Sequence, residues 1–330
     1  MNIKWFKNFN NTGLLALLAV FIALPNVLSV GYLNIAITTL HWMFLCSAYS
    51  FVMVAGLFCL MSSVFYGVGA YVPALLWRFF QVNIYVGMIA GVIVAVIIAV
   101  VIGWLLFRTK LPSLTFGACT LALTFVAEYL VQSSGTLAAE GMVVRYTGTD
   151  PFNFQFDDKL TWYYIALAMV VGIYFLSKYL LNSKAGLYWG TIDENERLAE
   201  ASGVNTMKWK LIVMAVSAGL LSIAGTFMLR YQMFIGPAIV GPSPVIQMVL
   251  LTVIGGVGSI WGPLVGAGIF VPVGELIRIR LAQFTGLNLM VYGFAVVFVL
   301  YVLRDGLYPF FKDIVGRLIN RREKQASASL

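Results

Sequence analysis

The chain has 330 residues, 61% of them hydrophobic and only 10% charged, whereas a soluble domain carries about a quarter charged residues. That composition excludes an ordinary globular protein, and unbroken apolar runs such as VGMIAGVIVAVIIAVVIGWLLF (86–107) exclude the alternating pattern of an outer-membrane barrel. The net charge of +8 is the bias of a polytopic helical membrane protein whose cytoplasmic loops collect Lys and Arg, so no nucleic-acid partner is needed to explain it.

A bilayer core of ~30 Å takes ~20 apolar residues per helix. The sequence predicts an all-α polytopic membrane protein with about ten spans in one transmembrane domain, 1–330: 14–33, 35–56, 63–80, 84–107, 113–133, 161–181, 209–229, 242–258, 261–277 and 288–304. The first, after the basic MNIKWFKNFNNTG, is longer than a signal-peptide core and is expected to be retained. Gly and Pro interrupt 56–80 and 242–277, where a broken or re-entrant helix is expected; such backbone survives at membrane depth only when protein or a water-filled cavity satisfies it. With both termini inside, fifteen of the 21 basic residues fall on the cytoplasmic side, as the positive-inside rule requires. Residues 1–13 are then a cytoplasmic N-terminus and 134–160 an external loop. Residues 182–208 form a cytoplasmic loop, and 305–330 a cytoplasmic basic tail. That tail suits an anionic lipid surface or is simply disordered.

Cys46, Cys59 and Cys119 lie in apolar segments without CxxC spacing, and His41 is the one histidine. No disulfide framework, metal site or two-histidine motif follows. No Gly-Lys dipeptide occurs, so the GxxxxGK[ST] phosphate loop is absent, and GGVGSIWG (255–262) lacks dinucleotide-fingerprint spacing. No cofactor and no catalytic residue are expected.

The cytoplasmic loop carries GTIDENERLAEASGVN (190–205), four acids against one arginine. Thr191 and Glu194 fit a capping box, Asp193 and Arg197 are four apart and suited to pair, and Gly203 is placed to end the helix. A short helix over 192–202 is therefore expected, either as a solvated connection or as a surface shown to a partner. Glu128, Arg230, Glu275 and Arg278 fall towards outer ends of spans, where snorkelling is inexpensive.

The order SKAG (183–186), IDENE (192–196), ASGV (201–204), KWKL (208–211) and VIGGVGSIWGPLVGA (253–267), with GVGAY (67–71) and RTKLPSLTFGACTLAL (108–123) upstream, resembles the permease subunits of binding-protein-dependent ABC importers for branched-chain amino acids and related amides. The resemblance implies that 191–203 is the coupling helix that docks on an ATPase, with Thr191, Asp193, Glu194, Glu196, Arg197, Glu200 and Gly203 as its residues. It also implies ABC ATPase subunits, a second homologous permease, an extracellular or periplasmic solute-binding protein, and a prokaryotic inner membrane. Where the family carries a pattern like G-R-A-L-R-A-I-R, this chain has Gly186 to Asp193 without the arginines, which implies either a divergent subfamily or a partner with altered groove charge. Gly67, Gly69, Gly255, Gly256, Gly258, Gly262 and Gly266 are expected to let helices pack closely or to line the path. Branched-chain or other hydrophobic amino acids are the expected cargo, with urea or short amides as the alternative. From a different class comes an ion-coupled carrier working alone.

Overall fold

The computed structural model describes residues 29–134, 141–143 and 154–280, together with Pro25. The helices are α1 (Val30–Val54), α2 (Ser62–Phe80), α3 (Ile84–Arg108), α4 (Ser113–Ser133), α5 (Lys159–Leu181), α6 (Lys184–Glu194), α7 (Glu196–Ala201), α8 (Thr206–Gln232), α9 (Pro242–Gly255) and α10 (Trp261–Arg280). Two short strands, β1 (Met142–Val143) and β2 (Phe234–Ile235), pair antiparallel. Among the described residues seven helices are long and apolar enough to cross a membrane, and α2, with 19 residues, is an eighth long helix. Eight of the expected spans therefore fall on helices. The tenth, 288–304, and most of the first, 14–33, lie outside the described residues. Residues 30–33 belong to α1, which runs on without the break expected at 34.

Small residues decide the packing. In α3, Gly87, Gly91, Ala95, Ala99 and Gly103 form the buried edge, while Ile89, Ile93, Ile97 and Trp104 stand exposed on the other side, the arrangement of a helix that faces lipid outward. The buried edge meets α8, the central helix, which also packs against α1 and α2. Between α2 and α8 the backbones touch: a Cβ on Gly225 would strike the Tyr66 carbonyl, and one on Gly69 the Ser222 carbonyl. The Thr226 hydroxyl donates to the Gly69 carbonyl at 2.7 Å, and the Ser217 hydroxyl to the Ala48 carbonyl at 2.8 Å.

Both Gly/Pro-interrupted regions contain irregular backbone. Between α1 and α2, residues 55–61 are not helical and lie along the first half of α4. The Ser113 hydroxyl donates to the Gly56 carbonyl at 3.0 Å, and Phe58 lies over Gly117. Thr120 Oγ1 accepts from the Leu60 amide at 3.0 Å, and the Thr124 hydroxyl donates to the Leu60 carbonyl at 2.9 Å. These four α4 residues recur at helical spacing and so share one face. Between α9 and α10 the chain turns through Gly256 (φ +108°) and Gly258 (φ +84°), with Ser259 Oγ accepting from the Gly262 amide at 2.8 Å.

The described parts of the two long connections sit at opposite ends of the bundle. At one end β1 pairs with the residues after α8, and Arg78 at the end of α2 reaches Met142. At the other end α6 and α7 lie beneath the C-termini of α1 and α3 and the N-terminus of α8.

Gly225→Leu is expected to lower the detergent-solubilised melting temperature, by an effect equivalent to about 1–3 kcal/mol or more. Gly172→Ala, with open space around it, should leave the melting temperature unchanged.

Candidate functional site

The α5 helix ends at Leu181, and Ser183 caps α6, its hydroxyl oxygen accepting from the Ala185 amide at 3.2 Å. Gly186 lies so close to the Leu181 carbonyl that no side chain fits there, which permits the sharp turn. The inner face of α6 is apolar. Trp189 is fully buried, its indole N–H donating to the Trp209 carbonyl at 3.1 Å and its ring meeting Phe51 edge-on at 6.5 Å. Ile192 is buried beside it, and the Tyr188 ring lies 4.9 Å from that of Trp209. This one face anchors the loop to α1 and α8 by removing a large aromatic surface from water.

The single helix expected over 192–202 is in fact two. Asn195, extended at φ −162°, ψ 105°, ends α6 and begins α7. Its side chain accepts from the amides of Arg197 and Leu198 at 3.1 and 3.2 Å, so Asn195 is the N-cap and the expected Thr191–Glu194 capping box does not form. Thr191 lies within α6, and its hydroxyl donates to the Tyr188 carbonyl at 2.9 Å. The physical reason is that the buried Trp189 and Ile192 continue the helix begun at Ser183 through the position assigned to a cap. Asp193 and Arg197 fall on different helices and form no ion pair. Gly203 ends α7 at φ +84°. Its amide donates to the Glu200 carbonyl and that of Val204 to the Ala199 carbonyl, both at 3.0 Å, the paired bonds of a Schellman motif.

Two of the acids point back to the bundle. Glu196 pairs at 2.6 Å with Lys210, which is only 12% exposed and also lies over the Phe107 ring. Glu200 pairs at 3.4 Å with Lys110 and accepts from the Thr206 hydroxyl at 3.0 Å. Those two neighbours, Thr206 first and Lys110 second, hold the Glu200 carboxyl below its ordinary range. Its contribution is therefore present above the unfolded carboxylate pKa and is lost as pH falls through the lowered value. Asp193 is the opposite case. It lies against Gly56 at the end of α1, and burial, then the neighbouring Glu194, push its carboxyl up, so its ionised form is disfavoured in place. Facing away from the bundle is Leu198, 65% exposed, while Thr191, Glu194, Arg197 and Ala201 are also exposed. A shallow cleft lined by Lys110, Asn195, Glu196, Arg197 and Glu200 separates α7 from the α3–α4 turn.

The family model for the branched-chain amino acid transport system permease component matches residues 31–300. The chain belongs to this family. It is 24% identical over 319 residues to the high-affinity branched-chain amino acid transport system permease proteins LivM of Salmonella typhimurium and Escherichia coli, covering 90% of this chain and 74% of each relative. A probable LivH permease of Methanocaldococcus jannaschii is 29% identical over 130 residues, covering 39% of this chain and 40% of that protein. No solved structure matches.

In this permease the seven glycines singled out from sequence divide into three uses. Gly255, Gly262 and Gly266 interlock α9 with α10: a Cβ on any of them would strike a backbone carbonyl of the other helix or of the turn. Gly67 admits Val240 from the 3-10 turn that precedes α9, and Gly69 meets α8. Gly256 and Gly258 are turn residues at positive φ, and a Cβ on Gly258 would meet no other atom within 4 Å. Gly258 is thus not part of a packed stripe with Gly262 and Gly266, because α10 begins only at Trp261. Among the charged residues near span ends, Glu275 pairs with Arg278 at 2.7 Å, and the Glu128 carboxylate lies against Gly241, at the start of α9, where a helix dipole favours it. His41, midway along α1, sets its Nε2 3.1 Å from the Tyr66 hydroxyl and stacks on Phe227.

Sequence reasoning missed Trp189, Asn195, Lys110 and Lys210. A signal existed for Asn195, since Asn precedes Glu-Arg-Leu as an N-cap should, but Thr191 offered a rival cap. Asn195→Ala is expected to cost about 1 kcal/mol and to speed amide exchange through residues 196–203, whereas Thr191→Val should change neither.

Proposed function

We propose that this chain is the membrane-spanning permease subunit of a binding-protein-dependent ABC importer for branched-chain or other hydrophobic amino acids, working in a prokaryotic inner membrane. A second permease, two ATPase subunits and an external solute-binding protein complete the assembly. The chain itself has no ATPase site; it supplies the path, and nucleotide-driven motion enters through α6 and α7. What carries the reading is the seating of this two-helix unit in a chain of this family: one face is locked to the bundle through Trp189, Lys210 and Lys110, and another turns Leu198 outward, with Arg197 exposed at its flank. A passive connection gains nothing from such a seat. A rigid seat with an exposed apolar residue is what a docking helix needs to transmit force.

The acids therefore divide into two roles. Glu196 and Glu200 hold α7 in place, and Arg197, Leu198 and Glu194 meet the ATPase. Leu198→Asp with Arg197→Glu is expected to weaken retention of the ATPase in mild detergent about tenfold or more and to abolish ATP-driven leucine uptake, with membrane insertion intact. Unchanged co-purification and uptake would remove α7 from the docking surface. Leucine uptake that proceeds without ATP and collapses with the ion gradient would transfer the reading to a carrier, with His41 as the residue to replace first.

A further inference from the structure

Accepting the permease reading above, we propose that residues 55–61 are a movable intramembrane link through which displacement of α6 reaches α2, held in the present state by the hydroxyls of Thr120 and Thr124. Three observations meet there. The first is position. Thr120 and Thr124 lie seven and eleven residues beyond Ser113, about 10 and 16 Å along α4 at ~1.5 Å per residue. Irregular backbone thus enters the span well below its end, and Leu57, Cys59 and Met61 are buried there.

The second is that the fastening is made by side chains with an alternative. The Thr124 hydroxyl has one proton and two acceptors, the Leu60 carbonyl and the Thr120 carbonyl of its own helix, each at 2.9 Å. Thr120 likewise keeps the Phe116 and Gly117 carbonyls within 3.0 and 2.9 Å. Releasing the link leaves both hydroxyls satisfied within α4. The freed Leu60 carbonyl finds a partner if α2 winds back by a turn, because the Val64 amide now makes only the shorter-range bond to Met61 at 3.0 Å and would become its i+4 donor. The segment therefore has two arrangements, each with a partner for the Leu60 carbonyl, which a switching element in lipid requires.

The third is the connection to the loop. Asp193 of α6 lies against Gly56, which opens the link at φ +70°, and the Ser113 hydroxyl holds the Gly56 carbonyl from the other side. At its far end the link enters α2, whose Tyr66 carries the hydrogen bond to His41 and the backbone contact to Gly225. Thr120, Thr124, Ser113 and Gly56 are positioning residues: none needs to touch cargo.

Cys59, fully buried in the link, supplies the probe. In native membranes holding the whole assembly, with Cys46→Ser and Cys119→Ser leaving it as the one thiol, its alkylation by N-ethylmaleimide is timed by mass shift. Thr120→Val with Thr124→Val is expected to speed alkylation about tenfold, and the Ser pair at the same positions to keep it slow. Asp193→Ala is expected to speed it as well. Alkylation as slow in the Val pair as in the parent, or unmoved by Asp193→Ala, would overturn the link. A Ser pair as fast as the Val pair would also overturn it, since that result marks lost packing and not a lost hydroxyl. The same vesicles report leucine uptake per ATP hydrolysed, which the Val pair should lower several-fold. Uptake independent of ATP, with the Cys59 responses as expected, would sink the importer reading and leave the link standing.

Discussion

Inside hydrocarbon a backbone amide or carbonyl without a partner costs several kcal/mol, and this constraint governs the bundle wherever helix gives way. The 55–61 segment is tolerable because α4 presents Ser113, Gly117, Thr120 and Thr124 on one face, three hydroxyls for backbone groups and a gap for Phe58. The turn at 256–260 is tolerable because Ser259 and two glycines at positive φ close it on itself. The first break is thus satisfied by a neighbouring helix, α4, and the second within its own turn and the start of α10.

The same scarcity of water explains why glycine rather than bulk apolar side chains sets the helix contacts. Lipid tails are as apolar as leucine, so burying a leucine between helices gains little. What does favour association is close backbone approach, with the dispersion and hydroxyl–carbonyl contacts it allows. The α2–α8 contact has both: Gly69 and Gly225 bring the chains together, and Thr226 then reaches the Gly69 carbonyl.

These principles also mark what could be read before the structure. The spans from 84 to 133 and from 161 to 229 were legible because their apolar runs are long and end at Asn83, Pro112, Asp158 and Asn205, residues that do cap helices. The interruptions near 56 and 258 were legible as glycine clusters. Their partners were not, because Thr120 lies 60 residues from Leu60 and no local pattern couples them. In the loop, charge marked the right stretch but the wrong internal boundary. A capping rule sees three residues ahead, whereas the burial of Trp189 against Trp209 and Phe51, which carries α6 through Thr191, depends on two other helices.

That burial also accounts for why acids gather in a protein with so few charges. The end of the bundle that holds the loop carries Lys110 and Lys210, basic residues of the kind that orient spans in a membrane. Lys210 sits nearly out of water, where an unpaired ammonium would be costly, and Glu196 answers it at 2.6 Å. Glu200, one helical turn later, answers Lys110. Placing the acids at i and i+4 puts both counterions on one face of α7, which leaves the opposite face to Leu198, with Arg197 at the flank beside the acids. The acids of α7 therefore face inward, as struts between a surface helix and the positive end of the bundle, while Leu198, Arg197 and, at the end of α6, Glu194 stay exposed.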